Sequence, residues 1–217
     1  MTINFREQLV SDQSGEHLIL LSNTESHYND LEMKPITFDE AYISVDVETA
    51  GPNPSQYSLL SIGACTVWQP QRNFYIELQP INEDMRPEAF AIHGLTIEGL
   101  RENGTAPGEA MAQFETWLKK VVPVGQHPIF VAFNAPFDWT FVSDYFHRYL
   151  GHNPFGHSAL DIKAYYMGLS GFAWKETSMR NVSEYILDGR QISHNALEDA
   201  IDQAEIFERL LEKGRKR

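Results

Sequence analysis

Ser44-Val45-Asp46-Val47-Glu48-Thr49 closes an apolar run in which Ile43, Val45 and Val47 alternate with other residue types. Alternation with period two reads as a β-strand. Side chains at i and i+2 leave a strand on the same face, so the Asp46 and Glu48 carboxylates meet at one spot. Two like charges held together are unfavourable unless a cation neutralises them, and the pair therefore points to a metal. Surface acids on an edge strand would give the same letters. The fully apolar positions between them favour a buried strand, and the loop Gly51-Pro52-Asn53-Pro54 sets the pair at a sheet's rim.

Outward from this strand, read as Ala41 to Val47, the chain places a second strand at Leu59 to Trp68 and a third at Asn73 to Gln79, closed by Pro80. So little sequence separates the three that hairpin connections, and hence antiparallel pairing, are expected. Residues 87 to 101 read as short helical or irregular structure interrupted by Gly94. A helix follows at Ala110 to Val122, with Met111, Phe114, Trp117 and Leu118 along one face. Ile129 to Phe133 reads as a short buried strand, and Pro136 to Leu150 as a helix for which Asn134 is a suitable cap. Three more helices are expected at Ile162 to Met167, Met179 to Leu187 and Ala196 to Lys213. The predicted fold is α/β, a mixed sheet of three early antiparallel-type strands and at least one later parallel strand, flanked by helices.

Composition bounds the rest. The 217 residues suffice for one sizeable core, and 42% apolar with 12% aromatic content is globular. Thirty acids against 17 basic residues, net −13, argue against broad non-specific adhesion to nucleic acid or anionic membrane. A nucleic-acid substrate stays open, since acids committed to metal leave room for local basic patches. The single cysteine, Cys65, suggests a reducing compartment and reads as a small buried strand residue. The early apolar run Leu18 to Leu21 is too short for a signal peptide or bilayer span, so the expectation is cytoplasmic, or nuclear or organellar in a eukaryote. Residues 1–37 read as an N-terminal arm, in part without fixed structure, with one short helix around Phe5 to Val10. Residues 38–213 read as the main domain and 214–217 as a basic tail, a solvated charge run.

Two further acidic motifs lie downstream. Asn134-Ala135-Pro136-Phe137-Asp138 puts Asp138 in a helix's first turn directly after a strand. An acid there favours the helix macrodipole whether or not it also binds something. His194-Asn195-Ala196-Leu197-Glu198-Asp199 reads as a helix start with Asn195 as cap and Glu198 in the capping-box position. The positions flanking that box often form an apolar staple, but here they are His194 and Asp199. A staple of ionisable groups stabilises little, which favours a chemical role.

Taken together, Asp-x-Glu, Asn-x-x-x-Asp and His-x-x-x-x-Asp resemble the DnaQ-like 3′–5′ exonucleases of the DEDD superfamily, in the histidine-containing DEDDh subclass. The resemblance covers roughly residues 40 to 212 and extends to Ile92-His93-Gly94-Leu95-Thr96 and Leu160-Asp161-Ile162. One departure is plain: Phe133 stands where the family usually has histidine. The resemblance implies an RNase H-like fold and two divalent cations, Mg²⁺ or Mn²⁺. It implies Asp46 as bridging ligand, Glu48 and Asp199 at the cation that activates water, Asp138 at the other, and His194 as general base. It further implies hydrolysis of phosphodiester bonds from the free 3′ end of DNA or RNA, with release of nucleoside 5′-monophosphates. Thr49 reads either as a contact to the terminal nucleotide or as an ordinary strand-end hydroxyl.

Aromatic candidates for base stacking are Phe137, Trp139 and Trp174, with Trp139 read rather as core. His127, His147, His152 and His157 form no ligand spacing, and without paired cysteines zinc is not expected. Two alternatives stay open: a non-catalytic nucleic-acid-binding or polymerase-associated module of the same fold, and a two-metal phosphoesterase acting on small nucleotides. Homodimerisation is equally open.

Overall fold

In the computed structural model of the chain, residues 5–12, 15–22, 39–187 and 195–215 are described. They belong to two compact units, Met1–Thr37 and Phe38–Arg217. In the first unit, strand β1 (Phe5–Asp12) pairs antiparallel with β2 (Gly15–Ser22), from Phe5 opposite Ser22 to Asp12 opposite Gly15. The helix expected around Phe5 to Val10 is therefore a strand. An isolated helix this short has too few hydrogen bonds to offset its nucleation cost, whereas the run Leu18 to Leu21 supplies a strand partner after a connection of two residues.

The second unit is built on a five-stranded mixed sheet, ordered β5-β4-β3-β6-β7. Strand β3 (Glu40–Thr49) pairs antiparallel with β4 (Leu59–Thr66), and β4 with β5 (Asn73–Glu77). On its other side β3 runs parallel to β6 (His127–Ala132), and β6 parallel to β7 (Ala159–Asp161). Helices α1 (Pro87–His93) and α2 (Ile97–Asn103) fill the expected irregular stretch. Gly94 separates them with φ of 71°, the left-handed conformation that glycine adopts at little cost. Helix α3 runs over Pro107–Val121 and starts earlier than its apolar face suggests, because proline suits a helix's first position. The remaining helices are α4 (Pro136–Leu150), α5 (Ile162–Ser170), α6 (Met179–Ile186) and α7 (Ala196–Arg215), with a 3₁₀ turn at Trp174–Glu176. Helix α7 thus takes in Gly214 and Arg215 of the expected tail, and the Arg215 guanidinium stands 5.5 Å from the Trp68 ring centroid.

Strand alternation sorts the sheet's two faces. Ile43, Val45 and Val47, with Ile62, Ala64, Phe130 and Ala132, pack against Phe114, Phe141, Val142 and Phe146 of α3 and α4. The opposite face carries Ser44, Asp46 and Glu48 of β3, flanked across β4 by Cys65, Gly63 and Ser61, and it is covered by α7. Apolar residues of that face, among them Cys65, Val131, Ile162 and Phe207, form a second core. No described helix is long and apolar enough to cross a membrane.

Candidate active site

Because β3, β6 and β7 run parallel, Glu48-Thr49, Ala132 and Asp161 end at one rim of the sheet. The first acidic pair lies there, half-buried, on the face that α7 covers. Asn195 fixes where that helix begins: its Oδ1 accepts the backbone N–H of Leu197 at 3.1 Å and of Glu198 at 3.3 Å. This capping sets Asp199 one turn in, buried and facing the sheet. Carboxylate oxygens of Asp46, Glu48 and Asp199 all lie within 4.8 Å of one another.

A glycine permits this approach. Gly63 pairs with Asp46 across β4, and a Cβ added to it would lie 2.1 Å from the backbone carbonyl of Ala196. Any side chain at Gly63 would push the first turn of α7, and Asp199 with it, off the sheet. Gly63 was not singled out in the sequence. A glycine inside a strand does signal close backbone approach, and only the pairing shows what approaches.

Asp138 reaches the site from the other side of β3. It is buried in the first turn of α4, and its Oδ1 accepts the Val47 N–H at 3.2 Å. It lies outside the tight triad, yet its charge acts on Asp46 more strongly than that of any other carboxylate. Asn134 does not cap α4 with its side chain; the cap is Ala135. Instead Asn134 takes φ of 62°, which asparagine tolerates. Its N–H donates to Asp161 Oδ1 at 2.9 Å, and the same oxygen accepts the N–H of Ala135 at 3.4 Å and of Lys163 at 3.0 Å. Asp161 thereby ties the loop before Asp138 to the start of α5.

Gln203, one turn beyond Asp199 on α7, is a second residue the sequence did not reveal. It is buried; its Nε2 donates to Asp46 Oδ1 at 2.6 Å while its Oε1 accepts the Phe133 N–H at 2.8 Å. The side chain of Phe133, at the family's histidine position, packs into the second core.

The electrostatics are those of a site built for positive charge. Burial, then Asp138, Asp199 and Glu48 in turn, hold the Asp46 carboxyl well above the usual carboxylate range, and the Gln203 hydrogen bond opposes them. Burial and then Asp199 push Glu48 up to about 8. Burial pushes Asp138 up to about 8 against the pull of backbone hydrogen bonds, including that from Val47. The donors are all carboxylate oxygens, the set that suits a hard divalent cation rather than a soft one.

His194 lies outside the described residues, directly before the Asn195 cap. Thr49 is buried, and its hydroxyl donates to the Gly51 carbonyl at 2.9 Å. Phe137, next to Asp138 in the chain, is 37% exposed, and its ring centroid lies 5.5 Å from that of Phe141. Trp139 packs edge-on against Phe130, with centroids 5.3 Å apart, as a core residue. Trp174 is half exposed beside α5, with Lys163 Nζ 4.0 Å from its ring centroid.

Residues 43–207 match the family model RNase_T, described as exonuclease. The chain is 46% identical over 177 residues to an Escherichia coli protein named 3′-5′ DNA exonuclease Cap18, covering 82% of this chain and 94% of that one. It is 30% identical over 183 residues to ribonuclease T of Histophilus somni, covering 76% and 80%. Among solved structures, the nuclease domain of 3′hExo, a DEDDh family member bound to rAMP, superposes with a TM-score of 0.66. At 14% identity, and with 83% and 96% of the chains covered, that likeness speaks for the fold.

Proposed function

The chain belongs to the RNase_T exonuclease family and is a 3′–5′ exonuclease, and from that premise we propose that it removes nucleotides from single-stranded DNA using the constellation Asp46, Glu48, Asp138, Asp199 and His194. The observation that carries the assignment of residues is the convergence of three carboxylates within 4.8 Å, with Asp138 adjoining them. DNA is preferred to RNA because the more similar relative, at 46% against 30%, is the one named for DNA.

In this reading Asp46, Glu48, Asp199 and Asp138 would hold divalent cations, Mg²⁺ or Mn²⁺. Bound there, the cations would supply neutralising charge for the phosphoryl oxygens and a more acidic water. The chain's own residues do the rest. His194, next to the cap of α7, accepts the proton of the attacking water; an imidazole with an ordinary pKa of about 6.5 suits that task near neutrality. The new bond joins water oxygen to phosphorus, the bond from phosphorus to O3′ breaks, O3′ takes a proton from solvent to end the shortened strand in a hydroxyl, and a nucleoside 5′-monophosphate leaves. Gln203 holds Asp46 in its rotamer, and Asp161 holds the loop that presents Asp138. Phe137 supplies a ring beside Asp138 for the terminal base.

End-labelled DNA and RNA oligonucleotides, incubated with Mg²⁺, with Mn²⁺ and with EDTA, test the proposal. Linear single-stranded DNA should shorten from its 3′ end in either metal and release 5′-mononucleotides, while a circular strand stays intact. Equal or faster loss of RNA would overturn the DNA assignment, and cutting of the circle would overturn the need for a free end.

A further inference from the structure

We infer that Trp174, Phe172 and Tyr185, with Lys163, form a ridge on which the strand stacks its unpaired bases on the 5′ side of the scissile bond. The inference rests on the exonuclease reading and adds a substrate-gripping surface to it. Large aromatic rings usually bury most of their area, yet Trp174, Phe172 and Tyr185 are 50%, 41% and 67% exposed. Phe172 and Tyr185 are neighbours, their ring centroids 6.2 Å apart, with Tyr166 6.0 Å from Phe172 beneath, and Trp174 follows Phe172 by two residues in the chain. A contiguous exposed patch of this kind marks an interaction surface more often than scattered exposed residues do.

Its place in the fold connects it to the site. Asp161 ends β7 and starts α5, and its Oδ1 holds both Asn134 of the loop before Asp138 and the Lys163 N–H. Lys163 Nζ stands over the Trp174 ring at 4.0 Å. The path from the carboxylates to the ridge therefore crosses the sheet rim from β3 over β6 to β7, two strand spacings of about 4.8 Å each. Trp174 lies two residues along the chain from Phe172, whose ring meets that of Tyr185 on α6. A strand whose 3′ end occupies the site has its 5′ side left to follow such a line.

Charge argues for the same occupant. Residues 162–187 carry three cations, Lys163, Lys175 and Arg180, against two acids, Glu176 and Glu184, in a chain of net −13. Glu176 is exposed, but its Oε2 accepts the Ala173 N–H at 2.9 Å, which ties the carboxylate to its own 3₁₀ turn. The ridge is thus a region where phosphates meet little repulsion, and ring faces bind any base, as an enzyme that degrades every sequence requires. A chain this acidic holds single strands better by stacking than by a basic groove.

The test compares Trp174→Ala, Trp174→Phe and Phe172→Ala/Tyr185→Ala with the unaltered full chain on a deoxydinucleotide and on a single strand of about twelve nucleotides. The dinucleotide leaves one nucleotide on the 5′ side of the scissile bond, against two strand spacings between β3 and β7 before the ridge begins. Trp174→Ala should raise KM on the longer strand about tenfold, within the range stacking on one ring supplies, with kcat and dinucleotide cleavage unchanged. Trp174→Phe should restore most of the loss, and the double variant should behave like Trp174→Ala. Equal losses on both substrates would make the ring structural, and no loss on either would remove its role. Fluorescence anisotropy of the longer strand in EDTA separates this inference from its premise. An unaltered chain that binds but cuts neither substrate defeats the exonuclease reading alone. A chain that cuts while Trp174→Ala binds with unchanged affinity defeats the ridge alone. If sedimentation shows a dimer that Trp174→Ala dissolves while oligonucleotide affinity stays the same, the ridge is a self-association surface and the inference fails.

Discussion

The two faces of strand β3 teach different things about one stretch of chain. On one side Ile43, Val45 and Val47 meet the aromatic residues of α3 and α4, where Phe74 stacks on Phe114 at 4.9 Å and Phe130 meets Phe155 edge-on at 5.3 Å. On the other side, one residue out of register, Asp46 and Glu48 meet Asp199 on a helix brought against the sheet by a glycine. The first face gains from burial: each large side chain removed from water contributes about 1.5–3 kcal/mol. The second face loses from it, since burial raises every carboxyl whose shift it governs there. The apolar face holds the strand so firmly that the acidic face can remain unfavourable until a cation arrives.

The comparison breaks most visibly at the proton acceptor. His194→Ala should lower turnover roughly 10²–10⁴-fold, the usual worth of a positioned acid–base group, while circular dichroism shows a folded chain. Unchanged turnover at neutral pH in the folded variant removes His194 from the mechanism.

Paired substitutions on the two faces sharpen the contrast further. Gly63→Ala forces the Ala196 carbonyl away and carries Asp199 with it, so turnover should fall about 10²-fold, the order expected for a misplacement near 1 Å. Phe114→Ala, on the apolar face, should cost about 3–5 kcal/mol in denaturant unfolding yet leave turnover per folded molecule unchanged. If Gly63→Ala keeps full turnover, close approach of α7 is not what builds the site.

The smallest effect belongs to Gln203. Gln203→Leu keeps the volume but leaves the Phe133 N–H and the Asp46 carboxylate without this partner. A loss of about 1–3 kcal/mol in stability and about tenfold in turnover is expected, with a higher Mg²⁺ concentration needed for half-maximal rate. An unaltered Mg²⁺ requirement would make Gln203 a packing residue only.

What the sequence could say follows the same division. The alternation around Asp46 and Glu48 is local, so both the strand and its acidic face were readable, as were Asn195 as cap and the helix that carries Asp199. Asp138 was placed in its helix, but the Asn134 conformation that presents it depends on Asp161, 27 residues away. Gly63 and Gln203 escaped notice because their importance lies in contacts across 133 and 157 residues, to Ala196 and Asp46. Strand β7 escaped because three residues are too few to alternate, and the β1–β2 hairpin because its first strand has weak periodicity until its partner is known.

Thermal melting of the chain and of Asp46→Asn, each with EDTA and with Mg²⁺, tests most directly whether the acidic face opposes folding until metal binds. Burial and then Asp199 push the Glu48 carboxyl from its ordinary 4.5 up to about 8 in the folded chain. Between those values the folded chain holds more protons than the unfolded one, so stability must fall as pH rises across the window and level off above it. In EDTA the melting midpoint should therefore drop from about pH 4.5 to about pH 8 through Glu48 and the acids beside it, and Asp46→Asn should be as stable as the unaltered chain or more so. Mg²⁺ should restore the unaltered chain at the upper end, by roughly 2.7 kcal/mol at a hundredfold excess over its dissociation constant, and restore Asp46→Asn less. If Mg²⁺ raises neither midpoint while Asp46→Asn costs several kcal/mol in EDTA, the carboxylates are structural hydrogen-bonding groups and the account is wrong.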